Sequence, residues 1–144
     1  MDKSPFIFEP GIWLGQGTIK LNFSDEELPF HTRWSVEKKD KDGKIRVIQE
    51  VQISGLSESV DNHFVFSSVA GGAFSIELYN DSVGTVLGEG LRKNNKVSWE
   101  FRSEDLEGFE HFEVLSDGTY AHHSEYCTKD DYRSQIKGKI WRVE

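Results

Sequence analysis

Apolar and polar residues alternate one by one along most of this chain, and a period of two is the pattern of strands with one buried face. The clearest run is Lys44–Ser54, KIRVIQEVQIS. Ile45, Val47, Val51 and Ile53 share one face with Gln49 among them, while Arg46, Glu50 and Gln52 take the other, with Ile48 as the exception. Trp13, Ile19, Leu21 and Phe23 line one face of a long first strand, and Phe30, Thr32, Trp34 and Val36 line the next. The pattern returns at Phe64 and Phe66, at Phe74, Ile76 and Leu78, and at Val97, Trp99 and Phe101. It closes over Ser134–Val143, with Ile136 and Ile140 on one side and Lys137, Lys139 and Trp141 on the other.

Turn chemistry separates these runs. Asp40–Gly43 and Asp117–Gly118 each place a glycine after an aspartate, a hairpin signal. Asn80–Gly84 and Lys93–Lys96 have the make-up of tight connections, and Gly71–Gly72 ends another run. Helical signals are confined to single turns at Ser24–Leu28, Ser103–Leu106 and Thr128–Tyr132. About ten strands with short connections predict an all-β domain spanning residues 1–144. The simplest topology is an antiparallel up-and-down β-barrel of eight to ten strands, in which closure removes exposed edges. A two-sheet sandwich is the competing architecture.

Totals narrow the partners. With 10 Phe, 4 Trp and 4 Tyr the chain has large rings enough for a substantial core. A net charge of −8 argues against nucleic acid and anionic membrane surfaces. A single cysteine, Cys127, permits no intrachain disulfide, and it is expected to be a small buried hydrophobe. The opening MDKSPFIFEPG lacks the apolar run of a signal peptide, and no later segment could span a bilayer as a helix, so a cytoplasmic location is expected.

Gly11-Ile12-Trp13-Leu14-Gly15-Gln16-Gly17 opens the first strand. It resembles the Gly-x-Trp start of the calycin superfamily of lipocalins and fatty-acid-binding proteins. The fuller Gly-x-Trp-x-Gly-x-Gly is similar to the opening of nitrobindin-like and bacterial lipocalin-like proteins. The resemblance implies a ligand-carrying barrel whose Trp13 plugs the narrow end, and a bent strand that glycines let cross it. It also implies a cation beside that tryptophan, for which Trp141-Arg142 is the loose match. Two features depart from the pattern: lipocalins are secreted and disulfide-bonded, and no histidine after His123 can take the place of the nitrobindin-like haem ligand. Haem is therefore not carried over, and no cofactor or metal is assigned.

The candidate chemistry sits on a few strands. His122 shares a face with Tyr120, Ser124 and Tyr126, where it could orient a polar head group, while His123 shares the other with Thr119, Ala121, Glu125 and Cys127. His111 and Glu113 share a face, as an acid/base or metal pair with a neighbouring strand or as exposed polar surface. Alternation puts His31 and Arg33 outside. Gln49 is either a ligand contact or a core amide bonded to a neighbour, and Glu89, flanked by Leu87 and Leu91, is a site candidate if it lies inside.

Three functions fit. The first is a carrier of a small apolar or amphipathic molecule, lined by Trp34, Gln49, Phe64, Phe66, Phe74, Trp99, Phe101, Tyr120 and His122. The second is a barrel enzyme of isomerase or lyase type using His111, His122 or Glu89. The third is a filled barrel with a structural or interaction role, in which the same aromatics are core. A homodimer is left open.

Overall fold

The computed structural model describes residues 6–22, 25–57, 59–70 and 72–143. Phe23, Ser24 and Gly71, which figure in the expectations above, lie outside them. Among the described residues the chain forms ten strands: β1 (Gly11–Leu21), β2 (Glu27–Val36), β3 (Ile45–Ile53), β4 (Ser59–Ala70), β5 (Ala73–Asn80), β6 (Gly84–Lys93), β7 (Lys96–Arg102), β8 (Leu106–Val114), β9 (Tyr120–Thr128) and β10 (Arg133–Val143). Each pairs antiparallel with the next, and β1 also pairs with β10, from Ile12 opposite Val143 to Leu21 opposite Ser134. The sheet is thus a closed up-and-down barrel, which sets aside the sandwich. Among the described residues no helix is long and apolar enough to cross a membrane.

The hairpins are built where aspartate meets glycine. Gly43 has φ +81° and Gly118 φ +87°, a left-handed conformation that costs an L side chain about 1–2 kcal/mol. Asp40 accepts the backbone N–H groups of Lys44 and Asp42 and pairs with Arg46, which together hold its carboxyl below the usual range. The single helical turns expected at Ser103–Leu106 and Thr128–Tyr132 are hydrogen-bonded bends instead. Ser103 Oγ accepts the N–H groups of Asp105 and Leu106, and Thr128 exchanges backbone bonds with Asp131 and Tyr132, so the side chains offer the backbone a turn in place of a helix. Glu27 and Leu28 already belong to β2.

Among the described residues the one helical piece is a 3-10 turn, Phe6–Phe8, which composition did not suggest. Phe6 and Ile7 are fully buried, and the Phe6 ring meets Trp13, Trp34, Phe112 and Tyr120 at 4.9–6.2 Å between centroids. This segment closes the barrel end at which β1 begins. Trp13 is buried there, and Arg142, opposite it in register, engages the Glu9 carboxylate and the Pro10 carbonyl.

Inside, two apolar clusters form. The larger runs from the plugged end and contains Trp13, Trp34, Val47, Phe64, Phe66, Phe74, Trp99, Phe101, Phe112 and Ile140. The smaller contains Ile19, Leu21 and Phe30, with Leu28, Val51, Ile53 and Ile136 packed against it. On each strand that runs from one cluster to the other, the inward residues between them are glycine or polar: Gly15 and Gly17 on β1, Thr32 on β2, Gln49 on β3 and Gly138 on β10.

Candidate functional site

This belt between the clusters carries the buried polar chemistry. On β9, period two sends Tyr120, His122, Ser124 and Tyr126 inward, and on the adjoining β8 it sends Glu110 and Phe112 inward. Glu110 is 4% exposed and His122 3%. Glu110 Oε2 accepts the Trp99 indole N–H at 3.1 Å and the Tyr126 hydroxyl at 2.7 Å, and Glu110 Oε1 lies 2.9 Å from His122 Nε2. A buried carboxylate without partners would be prohibitive, and three partners make this one tolerable. With the carboxylate accepting, the imidazole donates from Nε2 and its Nδ1 is left as an acceptor. Phe112 stacks flat on the ring at 4.4 Å and fixes its plane.

Gly108 makes room for this arrangement. It lies opposite Tyr126, and a Cβ there would sit 2.6 Å from the Tyr126 ring and 2.1 Å from the Glu125 carbonyl. Burial, and then the Glu110 charge, push the Tyr126 phenol well above its ordinary value, so it remains a donor. A phenol raised in the folded state contributes stability that is complete below its unfolded value near 10 and is lost above it. We expect the wild type to lose stability above pH 10 more steeply than Tyr126→Phe, as read by denaturant midpoints across pH 9–12. Equal slopes would mean that Tyr126 ionises freely in the fold.

Among the described residues four buried side-chain atoms have no protein partner: His122 Nδ1, Ser124 Oγ, Thr32 Oγ1 and the Trp34 indole N–H. They lie on two strands, β9 and β2, with β10 and β1 between them. From β9 to β2 one row reads His122, Gly138, Gly17, Phe30, and its neighbour reads Tyr120, Ile140, Gly15, Thr32. Ser124 follows His122 on the same face, Trp34 follows Thr32, and the Phe112 ring that stacks on His122 also meets Trp34 at 5.9 Å. Between the strands that carry the unfilled groups lie Gly138, Gly17 and Gly15, with the Thr32 and Ile140 methyl groups packed over Gly15.

All nine residues expected to line a ligand are buried inside the barrel. Trp34, Phe64, Phe66, Phe74 and Trp99 contact one another at 5.4–6.5 Å between ring centroids, and Phe101 packs on Tyr126 at 6.3 Å. The Tyr120 hydroxyl accepts the Phe6 N–H at 3.2 Å, and its own ionisation is raised by burial. Gln49 is a core amide: Asn62 donates to it at 2.9 Å, Asn80 donates to Asn62 at 2.9 Å, and Asn80 takes the N–H groups of Ser82 and Val83.

Other candidates lie elsewhere. Glu89 is on the outer face, because the inward positions of β6 are Val86, Gly88 and Gly90, whose missing side chains admit the Phe101 and Phe74 rings. Leu87 and Leu91 beside it are 70% and 60% exposed. His111 and Glu113 also face outward, where Glu113 pairs with Lys96 and burial depresses the His111 imidazole, helped by His123 and Lys96. Glu89 and His111 border a pocket of about 740 Å³ that Leu91, Glu100, Phe109, Phe74 and Trp99 also line. His31 and Arg33 are outside, as alternation predicts. Cys127 is half-buried at the rim, its thiol near the Thr128 carbonyl, rather than a core residue.

Glu110 is the residue that sequence reasoning missed. Its signal was present: it keeps step with Leu106 and Phe112, a polar interruption of an apolar face like Gln49. No protein-family model matches this chain, and none of the curated proteins matches it.

Proposed function

We propose that this protein is a calycin-like, ligand-binding barrel that holds a small molecule in the polar belt, its polar group on His122, Ser124, Thr32 and Trp34 and its apolar part against the neighbouring clusters. The observation that carries this reading is the set of four unfilled buried polar atoms that β9 and β2 turn into the barrel. Buried polar groups are nearly always bonded, and each one left unfilled costs about 1–3 kcal/mol unless something fills it. Apolar surface on both sides of the belt, aromatic on one and mostly aliphatic on the other, suits a mainly apolar body with one polar group.

Native mass spectrometry of gently purified protein, with a denatured control, tests the reading. A stoichiometric small molecule released on denaturation is the expected result. Thr32→Val provides the second arm. If a ligand bonds Thr32 Oγ1, the variant loses the bound mass or holds it more weakly. If the hydroxyl is merely unfilled, the isosteric variant binds nothing, as does the wild type, and is more stable by about 1 kcal/mol. A bare mass together with that stabilisation would overturn the proposal in favour of a filled barrel.

The Glu110–His122 dyad favours one second reading, an acid/base enzyme on the same barrel. A carboxylate that orients a histidine and leaves Nδ1 free is the arrangement of a general base. Its mark would be turnover abolished by His122→Gln with ligand binding retained.

A further inference from the structure

The unfilled atoms also state what the bound group must be. The Trp34 indole can only donate. His122 Nδ1 accepts in the neutral tautomer that donates from Nε2 to Glu110. Ser124 Oγ and Thr32 Oγ1 can do either. The complement is a group that donates one hydrogen bond and accepts others.

Charge narrows it further. The site already holds Glu110, both of whose oxygens are engaged by Trp99, Tyr126 and His122, so a second carboxylate would enter a dry box against an existing negative charge. The cation that anchors a carboxylate in a carrier is missing from the belt among the described residues: Arg33 faces outward, and Arg142 lies at the plugged end, held by Glu9 and Pro10. An ammonium group fits no better, because it carries donors only and would leave the Trp34 indole N–H without an acceptor, while its charge is taken out of water.

Resting on the binding reading above, we infer that the ligand is a neutral, hydroxyl-bearing apolar molecule, an alcohol or phenol whose O–H donates to His122 Nδ1 and whose oxygen accepts from Ser124, Thr32 or Trp34, and that it is neither a carboxylate nor an amine.

Four matched probes test this: benzyl alcohol, toluene, benzoate and benzylammonium, each titrated against the intact protein by tryptophan fluorescence and ligand-observed NMR. Benzyl alcohol is expected to bind about tenfold more tightly than each of the other three, the worth of one well-made hydrogen bond. Ser124→Ala and Thr32→Val, small changes that the fold should absorb, are expected to narrow its advantage over toluene. A purely structural effect would move all four probes together. Equal binding of toluene, or tighter binding of benzoate or benzylammonium, overturns the inference and leaves small-molecule binding standing. If no probe binds, the native mass decides: a bound molecule without a hydroxyl overturns this inference alone, one with a hydroxyl supports it, and a bare protein overturns both readings.

Discussion

Glu110→Ala should lose about 3–5 kcal/mol of stability, enough to leave a barrel of ordinary stability partly unfolded at room temperature. The truncation strips three groups at once. The Trp99 N–H, the Tyr126 hydroxyl and His122 Nε2 all bond this one carboxylate; Trp99 and His122 are buried and Tyr126 is half-buried. Glu110→Gln should cost markedly less, because an amide oxygen still accepts from Trp99 and Tyr126 while its NH2 faces His122, whose tautomer can switch to accept. Urea denaturation followed by tryptophan emission reads both variants, with Trp99 as the local reporter. Similar losses for the two would mean that charge, rather than hydrogen-bond count, decides the energy of the cluster.

Gly17→Ala is expected to be as damaging, although it adds only one methyl group. The new Cβ would lie 2.1 Å from the Lys137 carbonyl oxygen and 2.5 Å from the Gly138 Cα, both main-chain atoms of the strand that closes the barrel. A flexible side chain could turn aside; a paired strand cannot move without breaking its ladder. A cost of about 3 kcal/mol or more follows, at the upper end for overpacking. Gly43→Ala is the control. Nothing lies within 4 Å of its Cβ, so only the left-handed backbone resists, at about 1–2 kcal/mol. Thermal melts of the two variants should separate clearly. If Gly17→Ala melts like Gly43→Ala, the β1–β10 seam is looser than its geometry states.

Most of the architecture was legible because period two writes the two faces of a strand directly into the sequence. Lys44–Ser54 placed Ile45, Val47 and Gln49 inside and Arg46 and Glu50 outside, and β3 has that pattern of burial. The reading failed where glycine replaces the inward residue. On β6 the inward face is Val86, Gly88 and Gly90, so the eye follows Leu87, Glu89 and Leu91, which point to solvent. Glycine carries no hydropathy signal, and its inward role depends on Phe74 and Phe101, rings contributed by neighbouring strands. Glu110 was obscured differently. Phe109 and Phe112 are both apolar and three apart, so one of them must break the alternation, and only pairing with β9 decides which. The Phe6–Phe8 plug has no periodicity to read; three consecutive apolar residues gave composition but no direction.

The β1–β10 seam sets the order of events in folding. The other nine pairings join neighbouring strands through short turns, but this one joins residues more than a hundred positions apart. Closing a loop that long costs about 2 kcal/mol more chain entropy than closing a hairpin. Local hairpins can therefore assemble into a curled, still open sheet before its two margins meet. A strand margin left open in that interval presents unpaired N–H and C=O groups to any other copy in the same condition. In a chevron plot, changes at Gly17 and Gly138 should consequently speed escape from the native state while leaving the refolding arm nearly untouched, and the seam would be where kinetic stability resides.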